Sequence, residues 1–430
     1  MQYKAQVNEA INILKNILEV KKPADRIISF HFKRNRFIGS KDKAIISQLV
    51  YAILRNKATL EFYLKKFNLQ TTARKLVIAY LSVTENKDLP EMTKIFDGDM
   101  YSARNLKGAE IEFAKKRKQI DPLEMKEFEK LNFPEWLSED LKEAFGDNLA
   151  NEMIGLNQQA TTTIRVNLLK TTRAKLKADL KDEDIRTKKT KISPFGLTIE
   201  GKNNLFASQC FKKGYFEVQD EGSQILAILA DTKPKQKVLD MCCGAGGKLL
   251  AMAATMEHTG SLIGTDVNER RLLESKKRLK RAGISNAMLK VISSENDKYL
   301  KRQAGRFDTI FVDAPCSGTG TWRRNPDSKW NLEAEFVEQL TVTQASILKS
   351  ARNLVKSGGT IAYATCSVLR KENHDQVEKF LAENDDFELV DISTIYPDLT
   401  SEKTLQLTPS KHKCDGFFIA LLRKKQSNQV

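Results

Sequence analysis

The chain has 430 residues, of which 41% are hydrophobic and 29% are charged, a composition typical of globular proteins with two or three domains. No stretch approaches the roughly 18 to 20 consecutive apolar residues that cross a bilayer, so we expect no membrane span. The formal net charge of +16 predicts a polyanionic partner, but it does not choose among RNA, DNA and an anionic surface.

The six cysteines show no paired C-x-x-C spacing. We therefore predict neither a zinc site, nor any other metal site, nor a disulfide framework. Free thiols suit a reducing compartment, and a cytoplasmic location is expected.

Residues 1–130 are predicted to form an all-helical domain, because apolar residues such as Ile45, Leu49 and Ile53 recur at helical spacing and glycines are few. Basic clusters at 33–36 and 115–118 suit phosphate binding. A run of charges is, however, more often a solvated face.

Residues 131–215 are predicted to form a small α+β module, with a strand over 162–167, a helix over 173–180 and a strand over 197–199. In residues 216–425, apolar β-like runs alternate with helical periods. Such alternation predicts a mostly parallel sheet flanked by helices, and therefore an α/β fold class.

A glycine-rich turn follows the first strand of this third region, in the order Asp240-Met241-Cys242-Cys243-Gly244-Ala245-Gly246-Gly247-Lys248. Glycines let a backbone approach a ligand closely, and the helix that follows offers free N–H groups. Asp266 ends the next strand, where its carboxylate can accept hydrogen bonds from ribose hydroxyls. The pair predicts an adenosine-containing ligand, although dinucleotide enzymes share this pattern. ATP hydrolysis is not expected, because Leu249 stands where a phosphate loop needs a hydroxyl.

Two cysteines follow later strands, in Asp313-Ala314-Pro315-Cys316 and Thr365-Cys366-Ser367. Parallel sheets bind ligands at the carboxyl ends of their strands, so both thiols are expected beside the cofactor. A single such cysteine is more often a small core residue, but the joint position of the two favours a site.

Two thiols and an acid suit methylation of carbon 5 of a cytosine. That carbon is a poor nucleophile until a thiolate adds to carbon 6. Asp313 is placed to hold the base at N3 as electron density builds there.

These motifs resemble those of the Sun/Fmu (RsmB-like) family of S-adenosylmethionine-dependent RNA cytosine-5 methyltransferases. The resemblance runs from about residue 165 to 422, and further matching stretches are Glu217–Gln224, Arg323–Asp327 and Asp415–Phe418. It implies that Cys366 is the nucleophile and that Cys316 assists release of the methylated RNA. In DNA cytosine-5 methyltransferases, by contrast, the Pro-Cys cysteine attacks.

The resemblance also implies that S-adenosylmethionine is the cofactor. Its expected contacts are the loop from Cys242 to Lys248, Asp266, Asp313 and an acid that holds the adenine amino group, for which we choose Glu295 over Asp297. Ala245 and Leu249 stand where the family has proline and threonine, which indicates a divergent subgroup.

More loosely, residues 40–55 resemble the NusB-like RNA-binding domain of this family. The expected protein is thus a Rossmann-like methyltransferase domain (216–425) with an all-helical NusB-like domain (1–130) and a small RNA-binding module (131–215) between them. The expected partner is RNA, ribosomal in our interpretation, and we expect a monomer. Two alternatives stay open: a non-catalytic RNA-binding or ribosome-assembly factor of the same fold, and a DNA cytosine-5 methyltransferase. Trp322 and Trp330 are equally compatible with base stacking and with packing.

Overall fold

A computed structural model describes residues 1–20, 22–201, 203–400 and 402–426. The chain forms two compact units. The first consists of Met1–Gln158 with Trp322–Leu332, and the second of Gln159–Thr321 with the chain from Glu333 onward. The three-domain division after residues 130 and 215 stays a prediction. Within the described ranges, no helix is both long and apolar enough to span a bilayer.

The first unit is helical, as the sequence predicts. Its α-helices are α1 (Tyr3–Glu19), α2 (Ala24–Arg34), α3 (Ser40–Arg55), α4 (Lys57–Lys66), α5 (Ala73–Ala79), α6 (Leu89–Ile95), α7 (Gly108–Lys116), α8 (Glu127–Leu131), α9 (Ser138–Phe145) and α10 (Leu149–Asn157). In α1, Val7, Ala10, Leu14 and Ile17 are spaced by three or four residues and are all buried, which is the pattern of one helix face packed on a core.

The segment Trp322–Leu332 belongs to this helical unit. Its Lys329 side chain is fully buried, and the ammonium donates to the Asn132 carbonyl at 2.7 Å and to Asn157 Oδ1 at 2.5 Å. The Trp330 indole donates to a backbone carbonyl of α3 at 2.6 Å, and Trp322 is 1% exposed. Both tryptophans therefore pack, which decides between the two interpretations that the sequence left open.

The second unit begins with a small antiparallel sheet that carries two helices. Its elements are β1 (Thr163–Val166), α11 (Arg173–Asp182), β2 (Thr187–Lys189), β3 (Gly196–Ile199), α12 (Gln209–Lys212) and β4 (Phe216–Val218). The strand order is β2-β3-β1-β4. The two strands and the helix predicted here are confirmed, and β2 and β4 add to them.

A larger mixed sheet follows in the same unit. Its elements are α13 (Glu221–Leu229), β5 (Lys237–Asp240), α14 (Gly247–Thr255), β6 (Ser261–Asp266), α15 (Glu269–Ala282), β7 (Ala287–Val291), α16 (Lys298–Lys301), β8 (Phe307–Asp313), α17 (Ser328–Asn331, within the segment of the first unit), α18 (Ala334–Leu354), β9 (Val355–Thr365), α19 (His374–Glu383), β10 (Phe387–Val390), β11 (Leu405–Leu407), α20 (Pro409–His412) and β12 (Phe417–Lys424).

The strand order is β10-β12-β9-β8-β5-β6-β7, and β11 also pairs with β12. Strands β5 to β9 are parallel, whereas β12 runs antiparallel to β9. Alternate residues of β8 enter different hydrophobic clusters, since Phe311 belongs to one and Ile310 and Val312 to another. Both faces of the sheet are thus covered, which explains why its strands are nearly continuous apolar runs.

Candidate active site

The carboxyl ends of the parallel strands meet at one edge of the larger sheet. Asp240 lies beside Phe311 and Gly264 in register, and Asp313 lies beside Ala364. A cavity of about 330 Å³ opens at this edge, where parallel sheets bind ligands. Six of the residues predicted from the sequence line it: Cys242, Asp266, Glu295, Asp313, Cys316 and Cys366.

The two thiols are in contact. Because β8 and β9 are neighbours, the loops that leave them bring Cys316 Sγ to 3.3 Å from Cys366 Sγ. The backbone N–H of Gly320 donates to the Cys366 carbonyl at 3.0 Å and ties the two loops together. The hydrogen bond with Cys366 and burial raise the pKa of Cys316 well above its usual value. The protonated form of Cys316 is therefore favoured.

Asp313 forms an ion pair that the sequence did not predict. Lys248 Nζ, at the start of α14, donates to Asp313 Oδ2 at 2.7 Å. Burial acts to lower the pKa of Lys248, but the adjacent Asp313 carboxylate outweighs it and raises that pKa. The acid predicted to hold a base therefore has a positive charge beside it.

Asp240 is a second carboxyl group at this edge. It is fully buried at the end of β5, and neither of its carboxylate oxygens has a hydrogen-bond partner among the described residues. Burial, followed by the charge of Asp313, raises the pKa of Asp240 well above its usual value. Asp240 is accordingly held in its neutral form, because an isolated buried carboxylate is costly.

The glycine-rich turn is fastened to Asp266. One carboxylate oxygen accepts the Gly244 N–H at 2.8 Å, and the other accepts the Asn268 N–H at 2.7 Å. Gly244 and Gly246 have φ angles of 55° and 79°, a left-handed conformation that favours glycine. A Cβ at residue 246 would also lie 2.5 Å from Ser275 Oγ. The turn thus brings backbone close to the acid at the end of β6.

A buried ionic group supports the same turn from the small sheet. The Arg165 guanidinium donates to the Gly247 carbonyl at 2.7 Å and also bonds to Gln219. Arg278 donates to the Ala245 carbonyl at 2.8 Å and to Glu217 at 3.0 Å. Burial lowers the pKa of Arg165 to about 10. From the sequence, Arg165 and Glu217 were recognisable only as residues that match the family, and their role in positioning the turn was not predicted.

Glu295 and Asp297 differ in position. Glu295 lines the cavity, and its carboxylate accepts from Ser346 Oγ at 2.5 Å. Asp297 instead accepts the backbone N–H groups of Ser293 at 2.9 Å and Tyr299 at 2.7 Å, and so caps α16. This geometry favours the choice of Glu295, whose contact with adenine stays a prediction.

Cys242 and Cys243 are less suited to chemistry. Burial raises the pKa of both thiols, and a protonated thiol is a poor nucleophile. All six cysteines are free. Within the described ranges, no group of three or more His, Cys, Asp or Glu side chains could hold a metal ion.

The cavity fits an adenosine cofactor on two observations. Asp266 lines the cavity, and each of its carboxylate oxygens has a second lone pair besides the one that accepts the N–H of Gly244 or Asn268. The turn beside it leads into the start of α14, and the first N–H groups of a helix have no helical partners. A sheet of this topology, with such a turn after β5 and an acid after β6, defines a Rossmann-like methyltransferase fold.

Comparison with known proteins identifies the family. The family description "16S rRNA methyltransferase RsmB/F" matches residues 227–423, and an RsmF/B-like ferredoxin-like domain matches residues 133–205. A relative from Coxiella burnetii, named "Probable ribosomal RNA small subunit methyltransferase B", is 30% identical over 68% of this chain and 68% of its own. The chain therefore belongs to the RsmB/F family, whose members are S-adenosylmethionine-dependent RNA methyltransferases.

Two further matches extend over the rest of the chain. A Bacillus subtilis (strain 168) protein with the same name is 29% identical and covers 90% of this chain and 92% of its own. The crystal structure of PH0851 has a TM-score of 0.79 at 24% identity and covers 99% of both chains. That structure supports the fold throughout. The predicted family, fold class and enzyme class are confirmed.

Proposed function

We propose that this protein methylates carbon 5 of a cytosine in ribosomal RNA, with S-adenosylmethionine as the methyl donor, through a covalent bond between Cys366 and carbon 6. One observation carries the proposal: the thiols of Cys316 and Cys366, which are in contact, share a cavity with Asp266 and with Asp313, the partner of Lys248. The names of the relatives, which are ribosomal RNA small subunit methyltransferases, support RNA as the substrate.

The residues of the turn from Cys242 to Lys248, together with Asp266 and Glu295, would hold the cofactor. S-adenosylmethionine, when bound, supplies an electrophilic methyl group. The carboxylate of Asp266 suits ribose hydroxyls, and Glu295 suits the adenine amino group. Asp313 lines the same cavity as the thiols.

Cys366 begins the reaction as a thiolate that adds to carbon 6 of the cytosine, which gives carbon 5 the electron density it needs. The Asp313 carboxylate accepts from the exocyclic amino group beside N3, and the Lys248 ammonium that pairs with Asp313 offsets the negative charge that builds at N3. After carbon 5 is methylated, water in the cavity takes up the proton of carbon 5, and the electron pair of that C–H bond forms the ring double bond as the bond between carbon 6 and sulfur breaks. The ring double bond is restored, and Cys366 departs as a thiolate facing the S–H of Cys316.

The groove between α2 and α3 in the helical unit is the proposed RNA contact of that unit. It has a volume of about 680 Å³ and is lined by Lys33, Arg36 and Lys43, with Phe32 and Tyr51 between them. The three basic side chains form no ion pair with any described residue, so they are free to neutralise phosphates. Aromatic rings among basic residues also suit the bases of single strands.

The proposal is tested by incubating the protein with S-adenosylmethionine and ribosomal RNA transcripts, followed by bisulfite sequencing. We expect one cytosine to become resistant to conversion, and Cys366→Ala to leave it unmodified. A protein that binds the RNA and the cofactor but protects no cytosine would be a binding factor, contrary to the proposal. Preferred methylation of DNA over RNA would also contradict it.

A further inference from the structure

A buried carboxylate lies behind the loop that carries Cys316. Glu372 follows the Cys366 loop in a short 3-10 helix, Arg370–Glu372, and its side chain is 0% exposed. Its Oε1 accepts the Ser317 N–H at 2.8 Å and the Gln344 amide at 3.0 Å, and its Oε2 accepts from Ser317 Oγ at 2.5 Å. All three partners are donors, which suits the acceptor-only oxygens of a carboxylate.

The donors around Glu372 are all neutral. No lysine or arginine in the described ranges forms an ion pair with it. Gln344 also donates to the Pro315 carbonyl at 3.0 Å, so the same amide links the carboxylate to the backbone just before Cys316. A carboxyl group with no cationic partner among the described residues is therefore held next to the loop that carries one thiol.

The two thiols therefore have different ionisable neighbours. Cys316 interacts with the negative charge of Glu372, whereas Cys366 interacts with the positive charge of Lys248. In a buried region such interactions are only weakly screened. Lys248 is itself paired with Asp313 at 2.7 Å, so its charge on Cys366 is largely offset, whereas Glu372 has no cationic partner among the described residues. The Tyr363 hydroxyl donates to the Glu372 carbonyl at 2.6 Å.

We propose that Glu372 is a positioning residue whose buried charge keeps Cys316 protonated and so assigns the two thiols different roles. Cys316 then donates its proton toward Cys366 and cannot itself attack carbon 6. When Cys366 leaves carbon 6, the S–H of Cys316 stabilises the departing sulfur. This role of Cys316 in catalysis rests on the proposed function, but the protonation of Cys316 is measurable without RNA. The pKa of Cys316 is raised first by the hydrogen bond with Cys366, then by burial and the charge of Cys366, and the charge of Glu372 adds to these.

The first test is alkylation of the whole protein with iodoacetamide at several pH values, with each cysteine quantified by peptide mass spectrometry. In the wild-type protein at neutral pH, we expect Cys366 to react faster than Cys316 by about tenfold or more, because only thiolates react. Equal or reversed rates would overturn the proposal, and this arm needs no variant to fold.

The second test compares three variants at the same pH values. Glu372→Gln removes the charge, and we expect the midpoint of Cys316 alkylation to fall by about one pH unit. Glu372→Asp keeps the charge and should keep the midpoint near that of the wild type. Glu378→Gln, at an exposed glutamate of α19 that pairs with Arg370 at 2.7 Å, is the matched control and should change nothing. Equal midpoints for the Gln and Asp variants would reduce Glu372 to a structural residue and contradict the proposal.

The third test uses RNA that carries 5-fluorocytosine, in which fluorine replaces the departing proton and traps the adduct. Peptide mapping of the wild-type protein should find the RNA attached to Cys366. In the Glu372→Gln variant, a measurable part of the RNA should be attached to Cys316. Adducts confined to Cys366 in the variant would contradict the assignment of roles. If no adduct forms on either cysteine while the alkylation difference persists, the proposed methylation mechanism fails and the effect of Glu372 on Cys316 stands.

Discussion

Charged residues are arranged in opposite ways in the cavity of the second unit and in the groove between α2 and α3 of the first. In the cavity, Lys248 and Asp313 are paired at 2.7 Å, and the lysine side chain is only 11% exposed. In the groove, Lys33 and Arg36 are exposed and unpaired among the described side chains. Chemistry on a base needs charges fixed in one geometry and shielded from water, whereas binding a phosphate chain needs charges that can exchange small ions for phosphates.

The difference predicts how each region responds to the loss of one charge. A substitution in the cavity should change rates strongly and independently of salt. A substitution in the groove should weaken binding moderately, and the loss should depend on salt.

The largest effect is expected from Asp313→Ala. We expect methyl transfer to fall by about 100- to 10,000-fold, because uncompensated charge at N3 raises the barrier before any covalent adduct forms. Single-turnover kinetics with labelled cofactor measures the change. Asp308→Asn, in the same strand but at its opposite end and paired with Lys356, is the control and should keep the rate. A normal rate in Asp313→Ala would remove Asp313 from the mechanism.

A smaller effect is expected from Asp266→Ala. Loss of two hydrogen bonds to ribose should cost about 1 to 3 kcal/mol, or about 5- to 150-fold in cofactor affinity. The turn also loses its bonds from Gly244 and Asn268 to this carboxylate, which adds to the effect. Calorimetry with S-adenosylmethionine measures the affinity, and circular dichroism checks the fold. Unchanged affinity would place the cofactor elsewhere.

The groove should give a still smaller effect that depends on salt. Replacing Lys33, Arg36 and Lys43 with glutamine should weaken RNA binding by about tenfold at low salt and reduce the salt slope by about one unit for each phosphate that is no longer neutralised. Filter binding at several salt concentrations measures both quantities. Cofactor affinity should not change. An unaltered slope would assign RNA binding to another surface.

The smallest effect is expected from the second basic cluster. Lys116 pairs with Glu112 at 2.8 Å, and Arg117 is 5% exposed with its guanidinium on the carbonyls of Ser82 and Lys87. Replacing Lys115, Lys116 and Lys118 with glutamine removes as much charge as the groove variant does. RNA affinity should nevertheless change little, and a loss equal to that of the groove variant would show that only net charge matters.

The fold was predictable where local pattern and tertiary packing agree. The alternation of strands and helices after residue 216 requires a parallel sheet, and a parallel sheet places Cys316 and Cys366 at one edge. The glycine turn and Asp266 were recognisable for a similar reason. The order of strand, glycine-rich turn, helix, next strand and acid along the chain places the turn and the acid at the same edge of the sheet.

The rest depends on contacts between residues distant in sequence. Glu372 reaches back 55 residues to Ser317, and Lys248 reaches 65 residues forward to Asp313. Hydrophobic periodicity does not reveal pairs that are so distant in sequence. Glu372 also follows an arginine and a lysine, and a glutamate in such a run is typical of a surface position. Burial also decided the role of Trp322, which no local pattern distinguishes from a stacking residue. The choice between Glu295 and Asp297 required knowing which of them caps α16.

The central claim is that the two thiols in contact have separate roles, and a denaturing gel tests it directly. Purified variants are incubated with RNA and S-adenosylmethionine, and the protein–RNA adduct is measured together with methyl transfer. We expect Cys366→Ala to lose both methyl transfer and adduct, because no bond to carbon 6 forms. Cys316→Ala should transfer one methyl group and then remain attached to the RNA. An adduct that accumulates in Cys366→Ala and is absent from Cys316→Ala would reverse the roles and contradict the account.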